Sequence, residues 1–349
     1  MSSASEKPIV LITGITGFLA AHVLDAALAA PEGFRVRGTL RSLSKKDELL
    51  NRLSKADRER VELVEVKKTE ASDLSEAVRG VTYIAHTASP YQLAVEDVER
   101  DLLVPAIEGT LNLLRYAAKE PSVKRIAITS SFAAVVDFTK DGPNRPGYTY
   151  TQKDWNPFGR DDAKGPVAYS VSKTLAERAA WDFVEKEKPG FKIAAFNPPM
   201  IYGATLQPAV NLSNLNTSSK AIYSLISNLD EVPADRLPLF CHGRDVGDAH
   251  IRWLASDSAP SQRYLLFGGP YNWASSLEHL AKSKPELVKR FPKGYEQAIA
   301  NKKDPKTSYA SLDTTPAEKE LGMKFRGWEQ TLDESIDSLL ELEKRPNWK

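Results

Sequence analysis

The sequence predicts an α/β fold in which a doubly wound parallel sheet is joined to a smaller, irregular α/β lobe. In the first half of the chain, short β-rich runs alternate with segments of helical period, and several runs are apolar on both faces. Past residue 197 the chain becomes rich in proline, asparagine and serine, and its helices become shorter. We therefore expect a sheet domain at 1–196 and a second lobe at 197–349 that is interleaved with the first.

The change between strand and helix periodicity gives the individual elements. The predicted strands are residues 9–13, 34–40, 61–66, 81–86, 125–129 and 192–197. The predicted helices are residues 17–30, 44–54, 72–78, 98–119 and 168–186, followed by an amphipathic terminal helix at 328–344. Residues 305–316 are predicted to form a loop. The long connection at 141–166, which is rich in glycine and proline, is a candidate lid or pocket wall.

Composition and charge exclude several classes of function. The formal net charge of +1 provides no broad basic field, so nucleic acid and anionic membrane surfaces are poor candidates for the main partner, and a small molecule is expected. Cys241 is the only cysteine, which excludes an internal disulfide framework and a multi-cysteine zinc site. We predict no metal and a reducing, cytoplasmic location. The apolar stretch at 11–30 contains two glycines and Asp25, so we divide it into strand, turn and helix rather than a membrane span.

A glycine-rich turn follows the first strand and opens a helix. It reads Gly14, Ile15, Thr16, Gly17, Phe18, Leu19, Ala20. Glycine permits a positive φ and close approach of the backbone to a pyrophosphate, whose charge then faces the amino end of the helix. The strand, turn and helix order predicts a Rossmann-type dinucleotide site.

The residue that ends the second strand indicates which dinucleotide binds. Proteins that prefer NAD carry an acidic residue there for the ribose hydroxyls, whereas this chain has Arg41 after Leu40. A guanidinium pairs with the 2′-phosphate of NADP, and Lys45 adds a second positive charge. NADP(H) is therefore the expected cofactor. After the fourth strand, Thr87 and Ser89 are candidates to contact its sugar or phosphate.

Three side chains provide the groups that a hydride-transfer site needs. Tyr169 and Lys173 lie four residues apart on one helix face, so the ammonium can lower the pKa of the phenol. Ser131, at the end of a strand, can hydrogen-bond a substrate oxygen while Tyr169 delivers the proton. Asn112 is a candidate to anchor a water that relays protons to Lys173; alternatively it satisfies a backbone group.

Taken together, a series of ordered motifs resembles the extended short-chain dehydrogenases/reductases. The nearest group contains the dihydroflavonol and cinnamoyl-CoA reductases and the fungal methylglyoxal and aldehyde reductases. The motifs lie between residues 8 and 267: Thr13-Gly14-x-x-Gly17-Phe18, Arg41, His86-Thr87-Ala88-Ser89-Pro90, Gly109-Thr110-x-Asn112, Thr129-Ser130-Ser131, Tyr169-Ser170-x-Ser172-Lys173, Asn197-Pro198-Pro199 and Asp245-Val246-Gly247-Asp248-Ala249-His250.

The resemblance implies NADPH-dependent reduction of an aldehyde or ketone, with Ser131, Tyr169 and Lys173 as catalytic residues. It implies that the protein is a monomer or a weak homodimer. Cofactor contacts are implied for Gly14, Thr16, Gly17, Phe18, Leu19, Arg41, Lys45, Thr87, Ala88, Ser89, Thr129, Tyr169, Lys173, Pro198 and Ile201. A pocket for a hydrophobic carbonyl substrate is implied at Tyr91, Ser131, Phe132, Val167, Tyr169, Pro198 and Tyr202, although Phe132 and Tyr202 equally suit a core.

One departure and two alternatives stay open. Relatives place an acidic-hydrophobic pair after the third strand to contact adenine, whereas here Lys67, Lys68 and Thr69 follow Val66. A nucleotide-sugar epimerase or dehydratase that retains NAD has the same fold, but Arg41 opposes it. A redox sensor that binds NADP without catalysis is the alternative from another class, and such proteins tend to lose the tyrosine or the serine.

Overall fold

The structure, a computed structural model, describes residues 7–89, 95–208 and 210–348. Its strands are β1 (Ile9–Thr13), β2 (Arg35–Leu40), β3 (Val61–Glu65), β4 (Tyr83–His86), β5 (Arg125–Thr129), β6 (Thr149–Tyr150), β7 (Lys192–Asn197), β8 (Met200–Tyr202), β9 (Leu239–His242), β10 (Arg263–Leu265), β11 (Gly269–Pro270) and β12 (Ser311–Leu312). Its α-helices are α1 (Phe18–Ala29), α2 (Lys46–Asn51), α3 (Lys55–Arg58), α4 (Ser75–Val78), α5 (Val104–Ala118), α6 (Ala168–Glu187), α7 (Thr217–Ser224), α8 (Gly243–Ala255), α9 (Trp273–Ser283), α10 (Tyr295–Ala300), α11 (Pro305–Ser308), α12 (Thr315–Leu321) and α13 (Trp328–Glu343).

The main sheet is parallel throughout, and within the described residues it has seven strands in the order β10-β7-β5-β4-β1-β2-β3. The chain starts at β1, runs outward to β3, and then crosses over to β4 on the other side of β1. Such a reversal leaves a crevice between the carboxyl ends of the two strands that flank it, which is where open α/β sheets bind ligands. The predicted doubly wound sheet is confirmed.

Helices cover both faces of this sheet. α1 and α8 pack against each other on one face, where Ile12, Val23 and Val246 share a buried core. α5 and α6 pack together on the other face, where Leu113 and Ile126 are buried. Strands enclosed by two helix layers must be apolar on both sides, as the sequence of β5 is.

The second lobe contains a small sheet in the order β11-β9-β8, together with α7, α9 and α13. Its core is aromatic, with Tyr202, Phe240 and Trp273 packed against Leu332 and Ile336 of the terminal helix. The chain also returns to the main sheet, because α8 and β10 both lie downstream of residue 197. The boundary at residue 196 stays a prediction.

Differences from the predicted elements occur where distant contacts decide the backbone. The predicted helix at 44–54 is a 3₁₀ turn followed by the shorter α2, and the one at 98–119 begins with a π-helical turn at Glu99–Leu103. The predicted loop at 305–316 contains α11, β12 and the start of α12. β12 forms because Ser311 and Leu312 pair with Thr149 and Tyr150, a partner far away in sequence.

Among the described helices, none has the length and apolar character that crossing a membrane requires.

Candidate active site

A cavity of about 450 Å³ opens at the carboxyl ends of β1, β4, β5 and β7. Thirteen of the residues predicted for the site line it: Gly14, Gly17, Phe18, Leu19, Thr87, Ser89, Thr129, Ser131, Phe132, Tyr169, Lys173, Pro198 and Ile201. They come from segments that are up to 187 residues apart, from Gly14 to Ile201. The parallel sheet brings these segments to one edge.

The glycine turn at the end of β1 has the geometry that an anion-binding loop requires. Gly14 has φ of +66°, and a Cβ there would lie 3.1 Å from the Cβ of Ala88. The Gly14 amide donates to Thr39 Oγ1 at 3.0 Å, which fixes the turn to the end of β2. Gly17 precedes α1, and no side chain caps the first turn of that helix. The amino end of α1 therefore faces the cavity with its backbone N–H groups available for a phosphate.

The predicted contacts to the adenosine end lie at the same edge of the sheet but outside the cavity wall. Arg41 directly follows β2, two residues beyond the Thr39 that holds Gly14. Arg41 and Lys45 are exposed to solvent. Lys67 and Lys68, at the end of the adjacent β3, are exposed as well. Four exposed cations thus follow β2 and β3, at the sheet edge where the glycine turn follows β1, and positive charge there suits a phosphate-bearing ribose.

The three predicted catalytic side chains line the same cavity. Ser131 caps a 3₁₀ turn, and its Oγ accepts the amide hydrogen of Ala133 at 3.1 Å. Tyr169 is half-buried on the first turn of α6, with Lys173 one turn later. The Lys173 ammonium lies 5.9 Å from the centre of the Tyr169 ring. Burial lowers the pKa of Lys173 to about 8, against the opposing influence of the Glu177 carboxylate.

Two histidines support the loops on either side of this wall. Thr13 Oγ1 lies 2.9 Å from His86 Nδ1 and accepts the amide hydrogens of Thr87 and Ala88. Burial, with a smaller contribution from the Lys173 ammonium, lowers the pKa of His86 to about 3. His250 joins Thr129 Oγ1, at 2.8 Å, to the Val246 carbonyl, and burial lowers its pKa to about 4. Both imidazoles are neutral near pH 7, and they hold backbone segments in place.

Several predicted site residues lie elsewhere. The amide of Asn112 donates to the carbonyls of Thr69 and Ser72 at 2.8 and 2.9 Å, so the structure fits the backbone alternative rather than a water relay. Tyr202 is buried in the core of the second lobe, where its hydroxyl lies 2.7 Å from that of Tyr271. Thr16, Ala88 and Val167 are half-buried beside the cavity and do not line it. Tyr91 lies outside the described residues.

The other end of the cavity is lined by residues that the sequence did not single out. Most are apolar: Ala133, Val136, Phe138, Pro143, Pro166, Met200, Leu237, Pro238 and Leu239, with Asn216, Thr217 and Ser218 as polar members. Phe138 and Leu237 are 39% and 44% exposed, which is unusual for large apolar side chains. They belong to different parts of the chain and stand at the rim of the cavity. Among these residues, the sequence pointed only to Pro143 and Pro166, because they lie in the connection at 141–166 that was predicted as a lid or pocket wall.

The residues present fit a dinucleotide with an extra phosphate. The close contact between Gly14 and Ala88 leaves no room for a side chain at the turn, and the first turn of α1 is uncapped. Arg41 and Lys45 supply positive charge beyond the turn, while Tyr169 and Lys173 mark the opposite end. The polar end, the glycine turn and the cationic end therefore lie in the order of nicotinamide, pyrophosphate and adenosine.

Comparisons with known proteins identify a family and several relatives. Residues 10–266 match the NAD dependent epimerase/dehydratase family. A putative uncharacterized oxidoreductase of Schizosaccharomyces pombe is 37% identical, with 95% of this chain and 97% of that protein covered. A putative NADPH-dependent methylglyoxal reductase of Candida albicans is 35% identical, with 96% and 99% covered. A yeast methylglyoxal/isovaleraldehyde reductase complexed with NADPH has a similar structure, with a TM-score of 0.82 and 29% identity over 97% of this chain and 99% of that one.

Proposed function

Since the chain belongs to the NAD dependent epimerase/dehydratase family, we propose that it is an NADPH-dependent reductase that converts aldehydes or ketones to alcohols. One observation carries this proposal: Ser131, Tyr169 and Lys173 line the same cavity as the glycine turn. The expectation of NADP(H) agrees with two relatives: one is named as NADPH-dependent, and the other was solved in complex with NADPH. NADPH, when bound, supplies the hydride.

The side chains of the cavity wall handle the substrate oxygen and one proton. The Ser131 hydroxyl, whose oxygen already accepts from Ala133, keeps its hydrogen for the carbonyl oxygen of the substrate. The Tyr169 phenol donates a proton to that oxygen as negative charge develops on it. The Lys173 ammonium lowers the pKa of the phenol and binds the ribose of the cofactor. Ser130 is excluded from this role because its hydroxyl donates to Glu177 at 2.5 Å.

The substrate is a carbonyl compound with an apolar substituent. Its oxygen faces Ser131 and Tyr169, while the substituent lies against the apolar wall that includes Phe132, Val136 and Leu239. Burial of such a group stabilises the complex by about 25 cal/mol per Å² of apolar surface. A two-carbon or three-carbon aldehyde fills little of the wall, so we expect larger hydrophobic carbonyls to bind with lower KM.

The test is a screen of aldehydes and ketones with NADPH and with NADH, in which cofactor oxidation and the alcohol product are both measured. We expect one alcohol for each NADPH oxidised, and a preference for NADPH. If the purified protein instead retains NAD and converts a nucleotide sugar without net oxidation, it is an epimerase or dehydratase. NADPH binding with no turnover across the screen would support a sensor.

We also propose that the protein acts as a monomer or weak homodimer in the cytoplasm. Cys241 is the only cysteine in the sequence, and its thiol is buried with a pKa that burial raises, so a reducing compartment suits it. Sedimentation across a hundredfold range of concentration tests the first statement. Fractionation of the source cells tests the second.

A further inference from the structure

A buried polar cluster lies directly behind the cavity wall, and it is centred on Glu177. This carboxylate stands on α6 one turn beyond Lys173 and is 2% exposed. Its Oε2 accepts from Ser130 Oγ at 2.5 Å and from Asn197 Nδ2 at 2.8 Å. Its Oε1 accepts from Arg263 Nε at 2.6 Å. A buried carboxylate is tolerated only when it is paired and hydrogen-bonded, and Glu177 has both kinds of partner.

Asn197 and Arg263 extend the cluster to the backbone that presents Ser131. The Asn197 amide also donates to the Ser131 carbonyl at 3.1 Å. Arg263 donates to the carbonyl of Ala134 at 3.2 Å, three residues after the serine, while Ser130, directly before the serine, donates to Glu177. The ion pair therefore acts on both flanks of the residue proposed to polarise the substrate.

Arg263 also holds the long connection that leads into α6. It donates to the carbonyls of Gln152 and Asp154 at 3.1 and 2.5 Å, and its guanidinium lies 3.7 Å from the centre of the Trp155 ring. β10, which carries Arg263, is the edge strand of the main sheet. A residue from the far edge of the fold thus fixes two segments of the cavity wall.

Glu177 acts on Lys173 through charge rather than contact. The ionisable groups that face the Lys173 ammonium are Tyr169 and Glu177 from its own helix and His86 from β4. His86 is neutral near pH 7, so the Glu177 carboxylate is the charged group among them that opposes the cost of burying an ammonium.

We infer that Glu177 is a positioning residue of the reductase: with Arg263 it sets the place of Ser131, and through its charge it keeps Lys173 protonated in a buried site. The effect on catalysis rests on the proposed function. The protonation state of Lys173 does not, because it can be measured without any reaction. The two effects separate by variant. Glu177→Gln removes the charge and keeps the shape, whereas Arg263→Lys keeps the charge and loses the fork of hydrogen bonds.

The first experiment follows the ammonium directly in the protein without added cofactor. Lysine labelled with ¹³C at Cε is titrated by NMR, and the Lys173 signal is assigned by its loss in Lys173→Arg. We expect a midpoint near pH 8 in the unaltered protein, and a midpoint lower by about one pH unit in Glu177→Gln. Glu185→Gln, an exposed change on the same helix, is the matched control and should leave the midpoint where it is. An unmoved midpoint in Glu177→Gln overturns the inference about charge.

The second experiment measures kcat against pH with NADPH and a carbonyl substrate. In Glu177→Gln the alkaline decline of kcat should begin about one pH unit lower, as Lys173 deprotonates earlier. In Arg263→Lys we expect kcat to fall roughly tenfold with the decline unmoved, because Ser131 is displaced and the charge is kept. Equal losses of folded protein with unchanged kcat and pH profile in both variants would mean that the cluster is only structural.

If Glu177→Gln does not fold, the electrically balanced double change Glu177→Gln with Arg263→Gln replaces it in the NMR titration, where its midpoint is compared with that of Arg263→Gln alone so that only the Glu177 charge differs. A protein that shows the NMR shift but reduces no carbonyl compound refutes the proposed function and leaves the charge coupling intact. A protein that reduces carbonyl compounds but shows no NMR shift in Glu177→Gln refutes the charge coupling and leaves the proposed function intact.

Discussion

At the reacting end of the cavity the polar side chains are buried or half-buried, whereas at the adenosine end Arg41 and Lys45 are exposed beside the glycine turn. Lys173 and Glu177 are 8% and 2% exposed, and the Glu177 carboxylate accepts hydrogen bonds from Ser130, Asn197 and Arg263. Substitutions at the two ends of the cavity should therefore change different kinetic properties. A change at the buried end alters the rate of the chemical step, while a change at the exposed end alters which cofactor binds and how tightly.

The largest effect is expected for Tyr169→Phe at the buried end. Without the phenol hydroxyl no side chain delivers the proton, so kcat should fall roughly 10²- to 10⁴-fold. NADPH affinity, measured by fluorescence quenching, should change little. Tyr295→Phe, on α10 in the second lobe, serves as control. An unchanged kcat in Tyr169→Phe would remove this residue as the proton donor.

The exposed end is tested by Arg41→Asp. The new carboxylate repels the 2′-phosphate of NADP and accepts from the ribose hydroxyls of NAD. The ratio of kcat/KM for NADPH to that for NADH should fall roughly a hundredfold, which corresponds to about 2.7 kcal/mol. kcat at saturating cofactor should stay within a few fold. Lys192→Asp removes an exposed cation on β7, three strands away from β1 on the side opposite to β2, and a similar change of preference in that variant would contradict the assignment.

Acid should destabilise the protein through two buried histidines, His86 and His250. The pKa values of His86 and His250 are lowered from 6.5 to about 3 and about 4. Between pH 6.5 and those values the unfolded chain binds more protons, so the free energy of unfolding should fall as the pH falls, by up to about 1.4 kcal/mol per pH unit for each histidine. Urea unfolding at several pH values measures this slope. His250→Asn should reduce the slope and Arg41→Ser should not, and a flat profile in this range would show that the histidines contribute nothing.

The smallest effect is expected at the rim of the substrate end. Phe138→Ala removes part of the apolar surface that a hydrophobic substituent contacts, and we expect KM for a large carbonyl substrate to rise about three- to tenfold with kcat nearly unchanged. Leu229→Ala is the control, since Leu229 is equally exposed at 37% and does not line the cavity. A matching rise of KM for a small aldehyde would indicate a general distortion instead.

The parts of the site that follow regular strands were the parts that the sequence predicted. Gly14, Ser131 and Lys173 stand at strand ends or on the helix that follows, and parallel strands bring such positions to one edge without any knowledge of loops. The apolar end was missed because Phe138 lies in a short 3₁₀ turn and Leu237 in a connection, 99 residues apart, and only the completed fold brings them to one cavity. Nothing in their local sequence signals a cavity.

The roles of individual polar residues were also beyond the sequence. Glu177 follows Lys173 by one helical turn and resembles any charge on an amphipathic helix, and its partner Arg263 is 86 residues away. For Asn112 the sequence left two roles open, a water relay and a bond to a backbone group, and only the structure shows that its amide hydrogens meet the carbonyls of Thr69 and Ser72. Hydrogen-bond partners at this separation depend on the completed fold.

The close contact between α1 and α8 has a consequence for cutting the chain. A Cβ on Gly243 would lie 2.5 Å from the His22 ring, and one on Gly247 would lie 2.7 Å from the His22 carbonyl, so the α8 backbone lies directly against His22 at both positions. If the gene were split after residue 196, the first half would contain α1 and the glycine turn that precedes it. It would lack α8, the helix that covers α1. We expect each half to be produced in aggregated form and reductase activity to appear only when both halves are expressed in the same cell, which makes the pair a candidate for fragment complementation.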